Sequence, residues 1–224
     1  MTKNVIMTKK TRVGAWLIAL GSLMIGIDFL IEVFVGNYID WQYWQDIGLY
    51  IGGSIITAVG FLLLASVNAK IIRILSFILG GCFIFQAFNG VFLYLERIEH
   101  LEFIRSSLIQ AYNILHNTSN TLIMVFSIAF FLALFHKVSG TQKVFTIIAF
   151  AGAVLSALSN FFSVIFSSLS YSGTVYYDDG SIYYDYWDLC NSISSFVVFI
   201  MVLAAITAAL SMISLALYKN KEEQ

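Results

Sequence analysis

The sequence predicts an all-helical integral membrane protein in which six transmembrane helices form three hairpins and both termini lie in the cytoplasm. Three observations lead to this prediction. Of the 224 residues, 59% are hydrophobic and only 11% are charged, so a water-soluble fold would expose much apolar surface. Six long apolar runs are separated by polar segments. Ten of the 12 Lys and Arg residues fall in alternate segments, which is typical of cytoplasmic loops.

Each apolar run is interpreted as one helix, because a hydrocarbon core of about 30 Å needs about 20 apolar residues. The runs cover residues 13–35, 47–67, 71–95, 121–135, 144–169 and 189–218. The fourth run is short, and we expect it to borrow its first turn from residues 118–120. Runs of this length have no polar face for water, which argues against a soluble helical bundle. We therefore expect one six-helix domain over residues 1–224, with outer loops at about 36–46, 96–118 and 170–188.

The distribution of charge predicts the orientation in the membrane. Ten basic residues lie on the side that the positive-inside rule assigns to the cytoplasm: Lys3, Lys9, Lys10, Arg12, Lys70, Arg73, Lys137, Lys143, Lys219 and Lys221. Most acidic residues, and a cluster of Tyr and Trp, fall in the opposite loops. We expect a multi-pass protein of the plasma or inner cell membrane, with cytoplasmic tails at residues 1–12 and 219–224.

Two carboxylates in the first helix are the strongest indication of chemistry. Asp28 and Glu32 are four residues apart, so they share a helix face about 6 Å apart. Two carboxylates in a low dielectric cannot both stay ionised cheaply, and a shared proton or a bound cation would relieve the repulsion. The pair predicts an outward-opening proton or cation site. A structural alternative is that Glu32 reaches the headgroups while Asp28 hydrogen-bonds across the bundle.

Strongly polar residues occur at one depth in three helices. Asp28, Gln86 and Asn160 lie fifteen or sixteen residues beyond the starts of their runs, or about 22–24 Å into the membrane. This common depth predicts a polar layer in the outer half of the core. Ser163 belongs to a stripe of small polar residues on the fifth helix, which lines a water-filled path or packs against a neighbouring helix. The predicted solute- or cation-binding residues are Asp28, Glu32, Gln86, Asn89, Asn160 and Ser163.

The three hairpins resemble one another. In each entering helix, a polar residue is followed five and six positions later by a β-branched residue and Phe, as in Asp28, Gln86 and Asn160. The similarity is weak, and it fits either a chance match between apolar helices or an internal threefold repeat, a feature of transporters that bind their substrates where repeats meet.

The outer loops are acidic and aromatic. The segment 176–185 predicts a small β-hairpin with a two-residue turn at Asp179-Gly180. Apolar residues at three- and four-residue spacing predict a separate amphipathic surface helix over residues 98–115. The residues predicted to contact a protein or peptide partner are Asp178, Asp179, Tyr183, Tyr184 and Trp187.

Small residues on the first helix predict a tight helix seam. Ala15 and Ala19 are four residues apart, and such stripes let helices approach closely, inside the bundle or against a partner. The six-helix layout with both termini inside is similar to that of the substrate-binding subunits of energy-coupling-factor vitamin importers. The segment Ala15-Trp-Leu-Ile-Ala19 resembles the small-residue seam of such subunits. The resemblance implies a membrane-protein partner at this seam.

Two functional hypotheses follow. The first is a transport-type protein that binds a small solute or cation in an outward-facing vestibule. The second is a non-transporting accessory or immunity-type protein whose outer loops bind a partner. No catalytic, cofactor or metal-binding motif is found, so we predict neither an enzyme nor a cofactor. A net charge of -1 gives no reason to expect nucleic-acid binding.

Overall fold

The computed structural model describes residues 5–35, 46–96, 105–170, 175–176, 182–183 and 187–218, which are almost entirely helical. Helix α1 spans Lys9–Val35, a π-helical segment at Asp46–Ile51 leads into α2 at Gly52–Leu64, and α3 spans Lys70–Glu96. Helices α4, α5 and α6 span Arg105–Phe135, Thr141–Ser170 and Trp187–Ala216. Two-residue strands β1 (Val175–Tyr176) and β2 (Ile182–Tyr183) pair antiparallel.

Five helices, α1 and α3 to α6, are long and apolar enough, by length and composition, to cross a membrane. The apolar stretch Gly48–Leu64 is shorter, with 17 residues. As an α-helix it would rise about 25 Å, which is less than the hydrocarbon core of about 30 Å. The chain is therefore a multi-pass helical membrane protein. Within the described residues it has five full-length spans and one shorter apolar helix, where the sequence predicted six spans of which the fourth was the short one.

The bundle is apolar outside and carries polar groups inside. Phe77, Phe88 and Phe161 are 67%, 63% and 62% exposed, whereas Gln86 and Asn89 are 4% and 0% exposed. Lipid can solvate exposed phenyl rings but cannot hydrogen-bond a polar side chain, so the amides point into the bundle. This inverted distribution supports the membrane assignment independently of helix length.

The helices form a closed ring. The main contacts join each helix to the next along the chain, from α1 to α6, and α6 packs against α1. Short turns at residues 65–69 and 136–140 hold α2 to α3 and α4 to α5. A ring of six helices leaves an interior that is lined by side chains from several helices, and the candidate site lies there.

The N-terminal segment crosses one end of this ring. The backbone N–H of Val5 donates to the carbonyl of Lys137 at 3.0 Å, and that of Ile6 donates to Asn68 Oδ1 at 2.9 Å. These bonds join the segment to both short turns. The Val5 side chain is only 2% exposed, so the segment also packs into the apolar core.

The C-terminal end of α6 reaches the same place. Arg12 Nη2 donates to the carbonyl of Tyr218 at 3.3 Å, and the hydroxyls of Ser139 and Tyr218 are 3.1 Å apart. The N-terminal segment, the two short turns and the end of α6 therefore meet at one end of the ring. We call this the basic end, because it carries Lys9, Lys10, Arg12, Lys70, Arg73, Lys137 and Lys143.

Glycines bring α1 and α2 into backbone contact. A Cβ built on Gly14 would lie 2.7 Å from the Gly60 carbonyl oxygen, and a Cβ on Gly60 would lie 2.7 Å from the Gly14 carbonyl oxygen. Two turns farther from the basic end, a Cβ on Gly21 would lie 2.6 Å from the Gly53 carbonyl oxygen. No residue with a side chain fits at these positions without moving the helices apart.

The predicted partner seam on α1 is covered by the chain itself. Ala15 and Ala19 are 0% and 2% exposed and belong to the apolar core. The stripe was expected to pack either inside the bundle or against a partner, and in the structure it packs inside the bundle. A partner would have to bind elsewhere, because these two residues present no surface to it.

The described part of the predicted amphipathic surface helix, from Arg105 onward, is helical and is continuous with the fourth span. Helix α4 runs without interruption from Arg105 to Phe135. Between these ends, Thr118 Oγ1 donates to the Ile114 carbonyl at 2.7 Å and Thr121 Oγ1 donates to the Asn117 carbonyl at 2.8 Å. The polar segment that looked like a boundary therefore satisfies its hydroxyls along the helix itself and continues it.

The strands β1 and β2 lie where a hairpin was predicted, but in another register. Val175 is opposite Tyr183, and Tyr176 is opposite Ile182. A two-residue turn at Asp179-Gly180 would instead place Tyr176 opposite Tyr183. The residues of the predicted turn lie outside the described part of the chain.

Candidate functional site

A cavity of about 140 Å³ lies inside the helical ring. Its walls come from α1, α3, α4, α5 and α6, while the described lining includes no residue of α2. The lining on α5 (residues 149–156) and α6 (residues 201–208) falls in the middle of the apolar spans of these helices. The cavity is therefore central to the bundle, at the depth where membrane transport proteins hold their substrates.

The cavity wall is mostly apolar and has a few hydrogen-bonding groups. Phe29, Phe83 and Phe131 line it together with methionines and alanines. The polar lining side chains are Ser22, Gln86, Asn120, Ser127 and Ser156. A mainly apolar pocket with a few placed polar groups is the usual form of a small-molecule site.

Four side chains beside the cavity form a closed hydrogen-bonded circuit. Gln86 Nε2 donates to Tyr50 Oη at 3.2 Å and to Asn120 Oδ1 at 3.4 Å. Asn120 Nδ2 lies 2.8 Å from His116 Nε2, and His116 Nδ1 lies 3.3 Å from Tyr50 Oη. His116 and Asn120 are four residues apart on α4, which places both side chains on one face. The circuit ties the π-helical segment and α3 to α4.

The orientation of the Asn120 amide decides which nitrogen of His116 carries the proton. An amide nitrogen only donates, so with Asn120 Nδ2 towards the ring, His116 Nε2 is an acceptor. His116 is then neutral, carries its proton on Nδ1 and donates it to Tyr50 Oη. Asn120 presents its oxygen to Gln86, which fixes the Gln86 amide with its nitrogen towards the circuit.

Two buried amide oxygens next to the circuit have no hydrogen-bond partner among the described residues. These are Gln86 Oε1 and Asn89 Oδ1. The Asn89 amide nitrogen is bonded, since it donates to Ser119 Oγ at 2.9 Å. A buried acceptor without a donor costs roughly 1–3 kcal/mol. Gln86 lines the cavity, but its Oε1 has almost no accessible surface, so this oxygen does not face the cavity.

The structure brings some of the predicted site residues together. Gln86 and Asn89 are one turn apart on α3 and both bond to α4, at Asn120 and Ser119. Asn160 Nδ2 reaches Met124 Sδ at 3.4 Å, one turn along α4 from Asn120. Among the predicted residues whose side chains are described, only Gln86 lines the cavity. The side chains of Glu32 and Ser163 lie outside the described set.

Asp28 lies beside the circuit rather than on the cavity wall. It is 7% exposed and stands seven residues beyond Gly21 on α1, on the same helix face. Gly21 packs against Thr57 of α2, and Tyr50 precedes Thr57 by seven residues. Because α1 and α2 run antiparallel, helix geometry places Asp28 at the level of Tyr50.

The predicted partner surface is not described by the structure. Asp178, Asp179 and Tyr184 fall outside the described residues. Tyr183 belongs to β2 and Trp187 begins α6, but their side chains are not among those described.

Sequence reasoning missed Tyr50, His116 and Asn120. Asn120 was assigned to the first turn of a short span and His116 to an outer loop, so their pairing on one helix face was hidden. The spacing of four between them would have indicated the pair if residues 105–135 had been interpreted as one helix.

No protein-family model, no curated protein and no solved structure matches this chain. The similarity to vitamin-importer subunits therefore depends on the layout and the α1 alanines alone.

Proposed function

We propose that this chain is a small membrane protein of transport type that binds a small solute inside its helical ring. The observation that carries the proposal is the central cavity, whose mainly apolar wall carries a few amide and hydroxyl side chains. A cavity that served packing alone would be expected to be filled by side chains, because empty volume in a core is costly.

The basic end of the ring is packed with apolar side chains. Leu64, Leu134 and Leu215, near the ends of α2, α4 and α6, are 0% exposed and belong to the apolar core. The N-terminal segment crosses the same end through its bond to Lys137. The solute therefore enters from the opposite end, which the positive-inside rule makes the outer one.

The carboxylates of α1 have a separate role in this proposal. Asp28 lies at the level of Tyr50 and outside the cavity lining, so it does not contact the solute. A proton or cation bound by Asp28 and Glu32 would change the charge next to the hydrogen-bonded circuit, and ionisable residues at such depths commonly serve this purpose. In this proposal the two carboxylates couple solute binding to a proton or cation, and the cavity binds the solute.

Uptake into proteoliposomes tests the proposal. Ala153 lines the cavity, and Ala153→Leu places a branched side chain in it. Ala151 is exposed on the outer face of the same helix, so Ala151→Leu adds the same atoms towards lipid and is the matched control. Vesicles would be incubated with a defined mixture of small metabolites, washed and analysed by mass spectrometry. We expect particular solutes to accumulate with the wild type and with Ala151→Leu, and to be lost with Ala153→Leu.

Equal accumulation of every solute in all three preparations would refute a transport-type function. Size-exclusion profiles establish that the variants are folded. Ala208→Leu, which fills the cavity from α6, provides a second cavity-filling variant in case Ala153→Leu does not fold.

A further inference from the structure

His116 has hydrogen-bonding partners at both ring nitrogens. Nδ1 lies 3.3 Å from Tyr50 Oη, and Nε2 lies 2.8 Å from Asn120 Nδ2. The side chain is half-buried and belongs to the first turn of the span Ile114–Phe135, at the end of the ring opposite the basic end. Among the side-chain types of the circuit, imidazole is the one that ordinarily changes charge between about pH 5 and pH 8.

The group that can bond to His116 Nε2 depends on the proton. A neutral ring with its proton on Nδ1 accepts from Asn120 Nδ2, which is the arrangement described above. A ring that gains a proton on Nε2 donates from both nitrogens, so Nε2 then needs an acceptor. The Asn120 amide supplies one by turning over, which brings Oδ1 to the ring and Nδ2 to Gln86. Because amide oxygen and nitrogen are similar in size, this turn requires no movement of α3 or α4.

Gln86 must follow Asn120. In the neutral arrangement Gln86 Nε2 donates to Asn120 Oδ1 and to Tyr50 Oη. Two amino groups cannot bond to each other, so Gln86 brings Oε1 to Asn120 when the Asn120 amide turns. A phenol oxygen can donate or accept, so Tyr50 fits both arrangements. Gln86 Oε1, which has no partner among the described residues in the neutral arrangement, thereby gains one.

The two arrangements are equal in hydrogen bonds. Both use the same four contacts, and in each of them one atom of the Gln86 amide stays outside the circuit. A circuit that could be satisfied in only one protonation state would resist the proton, because a buried polar group without a partner is costly. This circuit accepts the proton by reversing its bonds.

The groups around His116 are compatible with a positive charge. Helix geometry places the Asp28 carboxylate at the level of Tyr50, on the far side of the circuit. Helices α3 and α5 pack against α4, and at this end of the ring their described side chains include no charged one. The other basic side chains that the structure describes lie at the basic end.

The reversal reaches the cavity, because Gln86 and Asn120 both line it. Turning their amides exchanges donors and acceptors on this part of the wall. A solute that hydrogen-bonds there therefore binds the two arrangements unequally. By linkage, the proton then changes the affinity for the solute, and the solute changes the affinity for the proton by the same factor.

We infer that His116 binds a proton that is coupled to solute binding, through reversal of the hydrogen bonds of Asn120 and Gln86. This inference rests on the proposed function, because it identifies a coupling proton for the same cavity. His116 adds a second proton-binding group to the carboxylates Asp28 and Glu32, and the experiments below separate the two.

A magnetic resonance titration of the full-length protein in detergent tests the reversal. The side-chain nitrogens of histidine, asparagine and glutamine are isotopically labelled, and His100→Gln and His136→Gln assign the His116 signals by elimination. As the pH falls, we expect His116 to change from the tautomer with Nδ1–H to the imidazolium, and the amide signals of Asn120 and Gln86 to move with the same midpoint. Amide signals that stay constant while His116 titrates would refute the reversal, and so would a ring that does not titrate.

Two asparagines of α4 provide a matched pair of variants. Asn120→Leu removes the link between the ring and Gln86, so the Gln86 amide signal should no longer follow the His116 titration. Asn117 is exposed on the same helix, so Asn117→Leu adds the same side chain outside the circuit and should leave the link intact. Loss of the link in both variants, or in neither, contradicts the role of Asn120.

Metabolite uptake tests the coupling, with equal pH on both sides of the vesicle. We expect accumulation by the wild type and Asn117→Leu to differ about fivefold or more between about pH 5 and pH 8. His116→Gln, which cannot take up the proton, should remove this difference. Because the wild-type resonance titration needs no variant, it remains a test of the reversal even if His116→Gln does not fold.

The possible failures can be told apart. If uptake by the wild type does not change with pH, the coupling is refuted and a transport-type function stands. If the pH dependence persists in His116→Gln and disappears in Asp28→Asn, the carboxylate binds the coupling proton and the role of His116 is refuted. If no solute accumulates at either pH, the proposed function falls and the coupling falls with it.

Discussion

Replacing Gly60 with alanine tests the closest helix contact in the bundle. A Cβ at this position would lie 2.7 Å from both the Gly14 carbonyl oxygen and the Ile18 backbone nitrogen. Both neighbours belong to the backbone of α1, so neither can rotate away as a side chain would. We therefore expect Gly60→Ala to push α1 and α2 apart.

The size of the effect follows from these distances. Ordinary contact begins at 3.4 Å, so the two helices must separate locally by about 0.7 Å. A gap of about 0.5–1 Å forfeits a quarter to a half of the dispersion energy of each contact that it opens. Overpacking of this kind typically costs about 1–3 kcal/mol. For a chain of this length, that corresponds to a melting temperature lowered by roughly 2–12 °C.

Thermal unfolding in detergent, followed by a thiol- or fluorescence-based assay, measures this change. Two glycines of α3 supply graded controls. A Cβ on Gly81 would meet nothing within 4 Å, so Gly81→Ala should be neutral or stabilising by up to about 1 kcal/mol. A Cβ on Gly80 would lie 3.0 Å from Leu62 Cδ2, the end of a flexible side chain, so Gly80→Ala should fall between the other two.

The order of the three unfolding temperatures tests whether the backbones of α1 and α2 are in contact. If Gly60→Ala unfolds at the same temperature as Gly81→Ala, the backbones of α1 and α2 are not in contact. The packing of the ring described above would then be incorrect at this seam.

Two further substitutions probe the polar circuit and the basic end. Ser119→Ala removes the acceptor of the buried Asn89 amide and should cost about 1–3 kcal/mol in unfolding free energy, whereas Thr118→Ala, an exposed neighbour, should cost little. If Ser119→Ala lowers the unfolding free energy as little as Thr118→Ala does, the Asn89 hydrogen bond does not stabilise the fold. Val5→Glu buries a charge in the core and should lower the melting temperature, while Ile6→Glu, at a site 43% exposed, should not. Identical melting curves for both would mean that the N-terminal segment is not packed.

The positions of the helices could be predicted from the sequence because lipid imposes a simple rule on apolar length. The observed starts and ends of α1, α3 and α5 lie close to the predicted runs. The same rule failed at α4, where a polar segment interrupts the apolar pattern without ending the helix. Hydropathy measures how readily a segment partitions from water into lipid. It does not detect hydroxyls that hydrogen-bond to the preceding helical turn.

The candidate site was only partly predictable. Gln86 and Asn89 could be identified because strongly polar residues inside an apolar run have few explanations. Their partners could not, because pairing across the bundle depends on which face each helix turns inward. The way in which the ring closes determines which face of each helix points inward. No periodicity in a single sequence predicts that closure. The face of α1 that carries Ala15 shows the same limit, since its stripe fits an internal seam and a partner seam equally well.

The π-helical segment before α2 connects the short helix to the site. A Cβ on Gly90 of α3 would run into the Ile51 side chain, so this glycine makes room for the segment beside α3. That placement lets Tyr50 reach both Gln86 and His116, whose ring lies 6.3 Å from the Tyr50 ring between centroids. Such π-helical segments often occur at functional sites. A solute in the cavity that displaces Gln86 would therefore act on α2 through Tyr50, although α2 contributes no described residue to the cavity wall.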